Sequence, residues 1–147
     1  MKWRVSIFTL CTPVLHRFYT GFYGASPVGS RGQYQDGAGA KTGVSYLELA
    51  DLIGMIGESV NEDLEELWKR IVFSICIRNT DDHLRNHIFL LGTGGWRLSP
   101  VYDINPQPWG TGLALNIRET NNRFDLDVAV DVAEYYFRLT TTPRSLT

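Results

Sequence analysis

The chain has 147 residues, of which 44% are hydrophobic, so it is long enough to bury one core and is expected to form one domain. Its net charge of −2 argues against a general nucleic-acid-binding surface, which needs a basic patch. Cys11 and Cys76 have neither a metal-ligand spacing nor a disulfide partner pattern, which favours a reducing cytoplasm. No apolar run reaches membrane-spanning length, and no membrane partner is expected.

The first 44 residues show little periodicity. Residues 1–10 have the basic start and apolar middle of a short signal peptide, but Pro13 interrupts the pattern and no small-residue cleavage site follows. We favour a buried or partly ordered strand there. Residues 17–41 are rich in Gly, Ser, Gln and Tyr, which is typical of loop or disorder. The prediction is an irregular or poorly ordered segment over residues 1–44 and a folded domain over residues 45–147.

Residues 37–42, Gly-Ala-Gly-Ala-Lys-Thr, suggest a phosphate-binding P-loop at first sight. A P-loop requires Gly immediately before its Lys and another Gly five positions earlier. Those positions hold Ala40 and Gln35, and no convincing strand precedes the segment. A flexible linker is therefore the preferred interpretation.

Two amphipathic helices are predicted next. Ser45 and Glu48 form a capping box at the start of the first helix, which we expect to end at Gly57 in the left-handed conformation. The second helix is expected to follow an N-cap at Asn61, with acidic residues in its first turn. Apolar residues recur at helical spacing, as Tyr46, Leu49, Ala50, Ile53 and Ile56 in the first helix and as Leu64, Leu67, Trp68, Ile71, Val72 and Ile75 in the second.

The most informative segment is Asn-Thr-Asp-Asp-His-Leu-Arg-Asn, residues 79–86, which precedes an apolar strand at 87–91. Asn and Asp often do no more than end helices and form turns. A turn alone, however, does not need Asn86 at a defined distance after Asp81 beside a buried strand. In kinase-like phosphoryl transfer, a loop Asp orients or deprotonates the attacking hydroxyl, and an Asn and a second Asp hold Mg²⁺. The candidate for the second Asp is Asp103.

The remaining elements are predicted from turn chemistry and alternation. Gly92–Gly95 is expected to form a hairpin turn, and residues 96–98 the return strand, with Trp96 and Leu98 on one face. A strand or extended edge is predicted where Leu113, Leu115 and Ile117 alternate with other residues. Asp125 is expected to cap the last helix. The predicted buried face of that helix consists of Leu126, Ala129, Val130, Ala133, Tyr136 and Phe137.

Together these motifs resemble the C-terminal part of the HipA-like serine/threonine kinases, which are the toxin components of toxin–antitoxin systems. The resemblance runs from Ser45 to the C-terminus and is carried by residues 79–86, Gly-Trp-Arg-Leu-Ser-Pro at 95–100 and Tyr-Asp-Ile-Asn-Pro at 102–106. It implies Asp81 as the catalytic base, and Asn86 with Asp103 as the Mg²⁺ ligands. The Asp-x-His-x-x-Asn core is also similar to the catalytic loop of phosphatidylinositol kinases, so the substrate class stays open.

The resemblance also implies an α+β fold, the mainly helical C-terminal lobe of a kinase-like protein with a small β-hairpin at the active site. It implies ATP, a protein substrate and an antitoxin partner, while no residue points to direct nucleic-acid binding. Asn79 and His83 are expected to shape the loop, His83 by bonding its backbone. No phosphate-covering Gly-rich loop and no strand Lys with a helix Glu partner are found in the sequence. We therefore expect a truncated kinase that is inactive or weakly active alone.

Two other functions remain open. The chain could be a non-catalytic relic that binds a partner. It could also be a metal-dependent hydrolase, because Asp81, Asp82, His83 and His87 are potential ligands, and the two His are four residues apart, as on a zinc-binding helix. The apolar run after His87 favours a strand over a helix and argues against zinc. Mg²⁺ bound only with nucleotide would favour the kinase, and tight zinc without nucleotide would favour the hydrolase.

Overall fold

The computed structural model describes residues 4–6 and 43–140, and these contain both helices and strands, as predicted for an α+β fold. The elements in chain order are strand β1 (Arg4–Ser6), helices α1 (Tyr46–Ile56) and α2 (Val60–Ile77), a 3₁₀ turn (Leu84–Asn86), strands β2 (Ile88–Leu91) and β3 (Trp96–Leu98), and helix α3 (Leu126–Phe137). The predicted linker at 17–41, the P-loop alternative at 37–42 and residues 141–147 lie outside the described residues. None of the described helices combines the length and apolarity that a membrane crossing needs.

Helix α1 begins as the sequence predicts and ends differently. The capping box is confirmed, with the Ser45 backbone N–H donating to Glu48 Oε1 at 3.3 Å. The prediction for Gly57 is wrong, because its backbone is extended (φ −69°, ψ 137°). The chain runs straight on beside β3, where the Glu58 N–H donates to the Trp96 carbonyl at 2.8 Å. Position 57 requires glycine for a different reason: the backbone lies so close to the end of α1 that a Cβ would be 2.5 Å from the Ile53 carbonyl oxygen.

Helix α2 begins earlier than predicted and buries the predicted stripe. Its N-cap is Ser59, whose carbonyl accepts from the Asp63 N–H at 3.0 Å, so the assignment of Asn61 as N-cap is wrong. The stripe is confirmed, with Ile71 fully buried, and Trp68 half-buried with its indole N–H donating to the Ala129 carbonyl at 2.8 Å. The apolar positions of the stripe repeat at the period of a helix, so one face of α2 is buried along its length. Its buried members are Leu64, Leu67, Ile71 and Ile75.

The sheet is antiparallel, with β2 between β1 and β3. The favoured N-terminal strand is therefore present as β1. The hairpin turn is confirmed by the Gly92 N–H, which donates to the Gly95 carbonyl at 2.8 Å. A buried carboxylate ties this hairpin to α2: Asp63 accepts from Arg97 Nε at 3.1 Å and from the Leu98 N–H at 3.0 Å. The first turn of α2 thereby fixes the end of β3.

The predicted strand around Leu115 is wrong as secondary structure, although its three apolar residues are buried. Leu113, Leu115 and Ile117 are all buried, but the segment forms only isolated bridges, one of them between Asn116 and Ser45. Hydrogen bonds from side chains and within turns replace the regular hydrogen bonds between strands. For example, Asn122 Nδ2 donates to the Leu113 carbonyl at 2.7 Å. Three apolar residues are thus buried without a neighbouring strand.

Helix α3 has the predicted N-cap, but its buried face differs from the predicted one. Asp125 is the N-cap, and its carboxylate accepts from the Asp127 N–H at 3.0 Å, as predicted. Leu126 and Val130, predicted to be buried, are 47% and 48% exposed. The buried face consists instead of Val128, Ala129, Val132, Ala133 and Phe137. Apolar residues cover more than half of the circumference of this helix, opposite Asp127, Asp131 and Glu134, so its sequence does not define the edges of the buried face.

Candidate active site

The end of α2 leads directly into the 79–86 loop. Arg78 adopts the left-handed conformation (φ 57°, ψ 48°), which ends the helix and turns the chain. The Asn79 N–H then donates to the Ser74 carbonyl at 2.8 Å, and the buried Asn79 side chain accepts from the Asp81 N–H at 3.3 Å. A side chain that bonds the backbone two residues on forms an Asx turn. Asn79 thus shapes the backbone immediately before Asp81.

The structure brings Asn86 against the backbone of Asp81. Asn86 is buried, and its Nδ2 donates to the Asp81 carbonyl at 3.0 Å. The Asp81 carboxylate itself is exposed. Because the amide nitrogen of Asn86 is engaged within the loop, its oxygen is the atom suited to a cation.

His83 lies between these two residues, and its ring contacts side chains rather than the loop backbone. Nε2 is 3.9 Å from Asp81 Oδ1 and 3.4 Å from Arg85 Nη2. Nδ1 is buried and has no hydrogen-bond partner in the part of the chain that the structure describes. The backbone N–H of His83 donates to the Asp81 carbonyl at 3.0 Å. The contacts of the ring are therefore with neighbouring side chains of the loop.

Asp103 belongs to the 101–110 segment, which has no regular secondary structure. Its backbone is left-handed (φ 57°), a conformation uncommon outside glycine that Asp and Asn adopt more readily than other residues. The neighbouring Tyr102 hydroxyl donates to the Arg85 carbonyl at 2.6 Å, so the chain beside Asp103 contacts the chain beside Asn86. Asp103 is exposed, and its Oδ1 accepts from Asn105 Nδ2 at 2.9 Å.

The donors available here suit Mg²⁺ better than zinc. Asn86 and Asp103 offer an amide and a carboxylate oxygen, and Mg²⁺ commonly combines one or two such protein ligands with waters and substrate phosphates. Among residues 4–6 and 43–140, no three His, Cys, Asp or Glu side chains are grouped so as to hold a metal ion. His83 and His87 flank a 3₁₀ turn instead of sharing an α-helical face. The helical spacing on which the zinc alternative depends is therefore absent from this segment.

A buried carboxylate at Asp82 is a feature that sequence reasoning missed. Asp82 Oδ2 accepts from the Tyr46 hydroxyl at 2.7 Å and from Ser74 Oγ at 3.4 Å, and Oδ1 lies 3.0 Å from His87 Nε2. The sequence suggested Asp82 only as a metal ligand. One signal was available: a His next to an apolar strand needs a polar partner if it is buried, and His87 is buried.

The electrostatics of this cluster favour an ionised Asp82. Burial alone would raise the pKa of Asp82, but the contacts with His87 and Tyr46 and the charge of Arg70 together lower it below its ordinary value. Burial, and then the charge and hydrogen bond of Asp82, raise the pKa of Tyr46 well above its ordinary value. Asp82 is thus a charged acceptor, and Tyr46 is a neutral donor to it.

A cavity of about 400 Å³ lies between α2, the 79–86 loop and residues 101–104. Asn79, Asp82, Asn86 and His87 are among its lining residues, whereas Asp81 and Asp103 are not. Asp81 and Asp103 are both exposed to solvent.

The comparison with protein families agrees with this arrangement of motifs. The family described as the HipA-like C-terminal domain matches residues 19–144, which is most of the chain. The chain therefore belongs to the HipA-like C-terminal domain family. The matched range contains all three motifs at 79–86, 95–100 and 102–106, and it begins upstream of Ser45. No curated protein matches the chain.

Proposed function

We propose that this chain carries the proton-accepting and Mg²⁺-holding part of an ATP-dependent serine/threonine protein kinase site. One observation carries the proposal. The Tyr102 hydroxyl contacts the Arg85 carbonyl at 2.6 Å, so the segment containing Asp103 meets the loop containing Asp81 and Asn86. Membership of the HipA-like C-terminal domain family supports the same chemistry.

Each residue has one role in this proposal. The exposed Asp81 carboxylate would accept a hydrogen bond from a substrate hydroxyl and take its proton as the new O–P bond forms and the bond from the γ-phosphorus to the departing ADP breaks. The Asn86 amide oxygen and the Asp103 carboxylate would hold the ion. Bound Mg²⁺ supplies neutralisation of charge on the transferring phosphates. Asn79 keeps the backbone before Asp81 in its turn, and Tyr102 keeps the Asp103 segment beside the loop.

The proposal includes the partners implied by the family. ATP is the phosphoryl donor, a protein Ser or Thr hydroxyl is the acceptor, and an antitoxin in the same cytoplasm is a binding partner. The exposure of Asp81 is compatible with a protein acceptor, because a side chain on a large substrate must reach the carboxylate from solvent.

Equilibrium dialysis with labelled ATP tests the proposal. We expect nucleotide binding that requires Mg²⁺ and is weakened about tenfold or more by Asp103→Asn, since a direct charged ligand is lost. Asp131→Asn is the matched control, because Asp131 is an exposed carboxylate on α3. Wild-type protein that binds no nucleotide with Mg²⁺ would favour the non-catalytic relic. Tight zinc binding without nucleotide would favour the hydrolase.

Phosphoryl transfer itself is tested with labelled ATP, Mg²⁺ and a generic protein substrate, beside Asp81→Asn. The variant keeps the volume of the side chain and removes its basicity. We expect any transfer that the wild-type chain performs to fall to background in Asp81→Asn while Mg²⁺-dependent nucleotide binding is retained. Transfer that persists unchanged in the variant would contradict the assignment of Asp81.

A further inference from the structure

A buried close contact joins Asp82, inside the 79–86 loop, to His87, the residue that follows the loop. Asp82 and His87 are both buried, and their carboxylate oxygen and ring nitrogen are 3.0 Å apart. Asp81 immediately precedes Asp82 in the chain, and Asn86 immediately precedes His87. Each member of the pair is therefore the covalent neighbour of one residue proposed to act in phosphoryl transfer.

Asp82 is also fixed from the side of the helices. The Tyr46 hydroxyl reaches it from the first residue of α1, and Ser74 Oγ reaches it from α2. Tyr46 is fully buried and packs edge-on against the His87 ring, with centroids 5.8 Å apart. The carboxylate thus has contacts from α1, from α2 and from the residue preceding β2.

We propose that Asp82 is a positioning residue that fixes the separation of Asp81 and Asn86 through its contacts with His87 and Tyr46. This inference rests on the proposed function for its catalytic meaning, and on the geometry alone for its effect on the loop. The role of Asp82 is argued from its contacts with Tyr46, Ser74 and His87, and it needs no contact of Asp82 with substrate or metal. Outer partners of this kind commonly change metal affinity 10–100-fold when they are removed.

The chain contains a matched control for this role. Asp63 is 3% exposed and Asp82 is 6% exposed, and each accepts several hydrogen bonds or ion-pair contacts. Asp63 lies in the first turn of α2 and holds β3, away from the 79–86 loop. Loss of either carboxylate should reduce overall stability, but only loss of Asp82 should release the loop.

The experiment compares amide hydrogen exchange and Mg²⁺–ATP binding in wild type, Asp82→Asn and Asp63→Asn, at a temperature where all three are folded. We expect Asp82→Asn to accelerate exchange over residues 81–87 about tenfold or more relative to Asp63→Asn, because the loop opens locally. The Mg²⁺–ATP dissociation constant should rise about 10–100-fold in Asp82→Asn and stay near the wild-type value in Asp63→Asn. Tyr46→Phe, which keeps the carboxylate and removes one donor, should give a smaller shift of the same kind.

The outcomes separate the two proposals. Equal exchange in the loop of Asp82→Asn and Asp63→Asn would overturn the positioning role of Asp82, whatever the protein binds. Absence of Mg²⁺–ATP binding in wild type would overturn the proposed function, and the exchange data would still decide whether Asp82 fixes the loop. If Asp82→Asn does not fold, Tyr46→Phe decides the question, and unchanged exchange over residues 81–87 in that variant would overturn the positioning role.

Discussion

The two segments that carry the proposed ligands are held in very different ways. In the 79–86 loop, Asn79, Asp82 and Asn86 are buried, and each makes a polar contact within the loop or with the helices. In the 101–110 segment, every residue except Tyr102 and Gly110 is exposed. Local stability follows buried contacts and protected hydrogen bonds. The position of Asp81 is therefore set by the fold, whereas that of Asp103 depends on a few surface contacts.

Those surface contacts are specific enough to direct the segment. Besides the Tyr102 bond to the loop, the Gln107 N–H donates to the Arg78 carbonyl at 3.2 Å. The Arg78 guanidinium in turn donates to the Gly110 carbonyl at 3.2 Å and lies over the Phe124 ring. Arg78, the last residue before the loop, thus also holds the far end of the 101–110 segment. Ligand binding would be expected to order this segment far more than the loop.

The largest expected effect concerns the helix that carries the loop. Ile71→Ala should lower the free energy of unfolding by about 2–5 kcal/mol, because Ile71 is fully buried and its truncation leaves a cavity. Equilibrium denaturation measures the loss. Val130→Ala on the exposed side of α3 is the control and should change stability by no more than about 0.5 kcal/mol. A loss below about 0.5 kcal/mol in Ile71→Ala would mean that α2 does not support the loop through its core face.

The next largest expected effect is the loss of stability in Asp82→Asn, which depends on pH. The pKa of Asp82 is lowered in the folded protein, so its ionised form stabilises the fold above the ordinary pKa of 3.8, and this stabilisation is lost as the pH falls through the folded value. Asp82→Asn should therefore cost about 1.5–3 kcal/mol near neutral pH, as expected for hydrogen bonds to a charged group. The difference from wild type should shrink on acidification below pH 3.8. Urea denaturation of both proteins over a pH series measures it, and a pH-independent difference would contradict an ionised Asp82.

A smaller effect is expected at Asp103, where the backbone is left-handed. Asp103→Gly removes the ligand and fits that conformation, whereas Asp103→Ala removes the same ligand and retains an unfavourable Cβ. We expect the alanine variant to be less stable than the glycine variant by about 1 kcal/mol. Thermal unfolding compares the pair. Equal stability would show that the 101–110 segment relaxes freely, which would sharpen its contrast with the loop.

The smallest expected effect is that of Tyr102→Phe. Loss of one solvent-exposed hydrogen bond should cost about 0.5 kcal/mol, the low end of the usual range. Amide exchange should accelerate over residues 101–105 and remain unchanged over residues 79–86, because the loop is held by its own buried contacts. Faster exchange in both segments would show that the two are one cooperative unit and would remove the distinction between them.

Local features could be predicted from the sequence because their signals lie within one or two helical turns. The capping box at Ser45, the α2 stripe, the glycine turn and the Asp125 cap all belong to this group. The start of α2 was misplaced because Ser59 and Asn61 are about equally good N-caps by residue type, and the side chain of Ser59 makes no capping bond. Residue preference alone therefore does not choose between the two positions.

The tertiary features could not be predicted in this way. One partner of Asp82 is Tyr46, 36 positions away, and no periodic pattern joins them. The buried face of α3 differs from the predicted face because α3 packs against α2, where the Trp68 indole N–H donates to the Ala129 carbonyl. Likewise, Leu115 is fully buried although its segment forms only isolated bridges and no strand. In each case the deciding contact comes from a distant part of the chain.

Helix α2 has a consequence for how much the surface of this protein can vary. Its 18 residues span about 27 Å, with Asp63 holding β3 at one end and Arg78 leading into the loop at the other. Helix α2 therefore sets the distance between the β2–β3 hairpin and the 79–86 loop. Insertions or deletions between Asp103 and Trp109 would leave both ends of helix α2 in place. We therefore expect changes of length in that stretch to leave the position of Asp81 undisturbed.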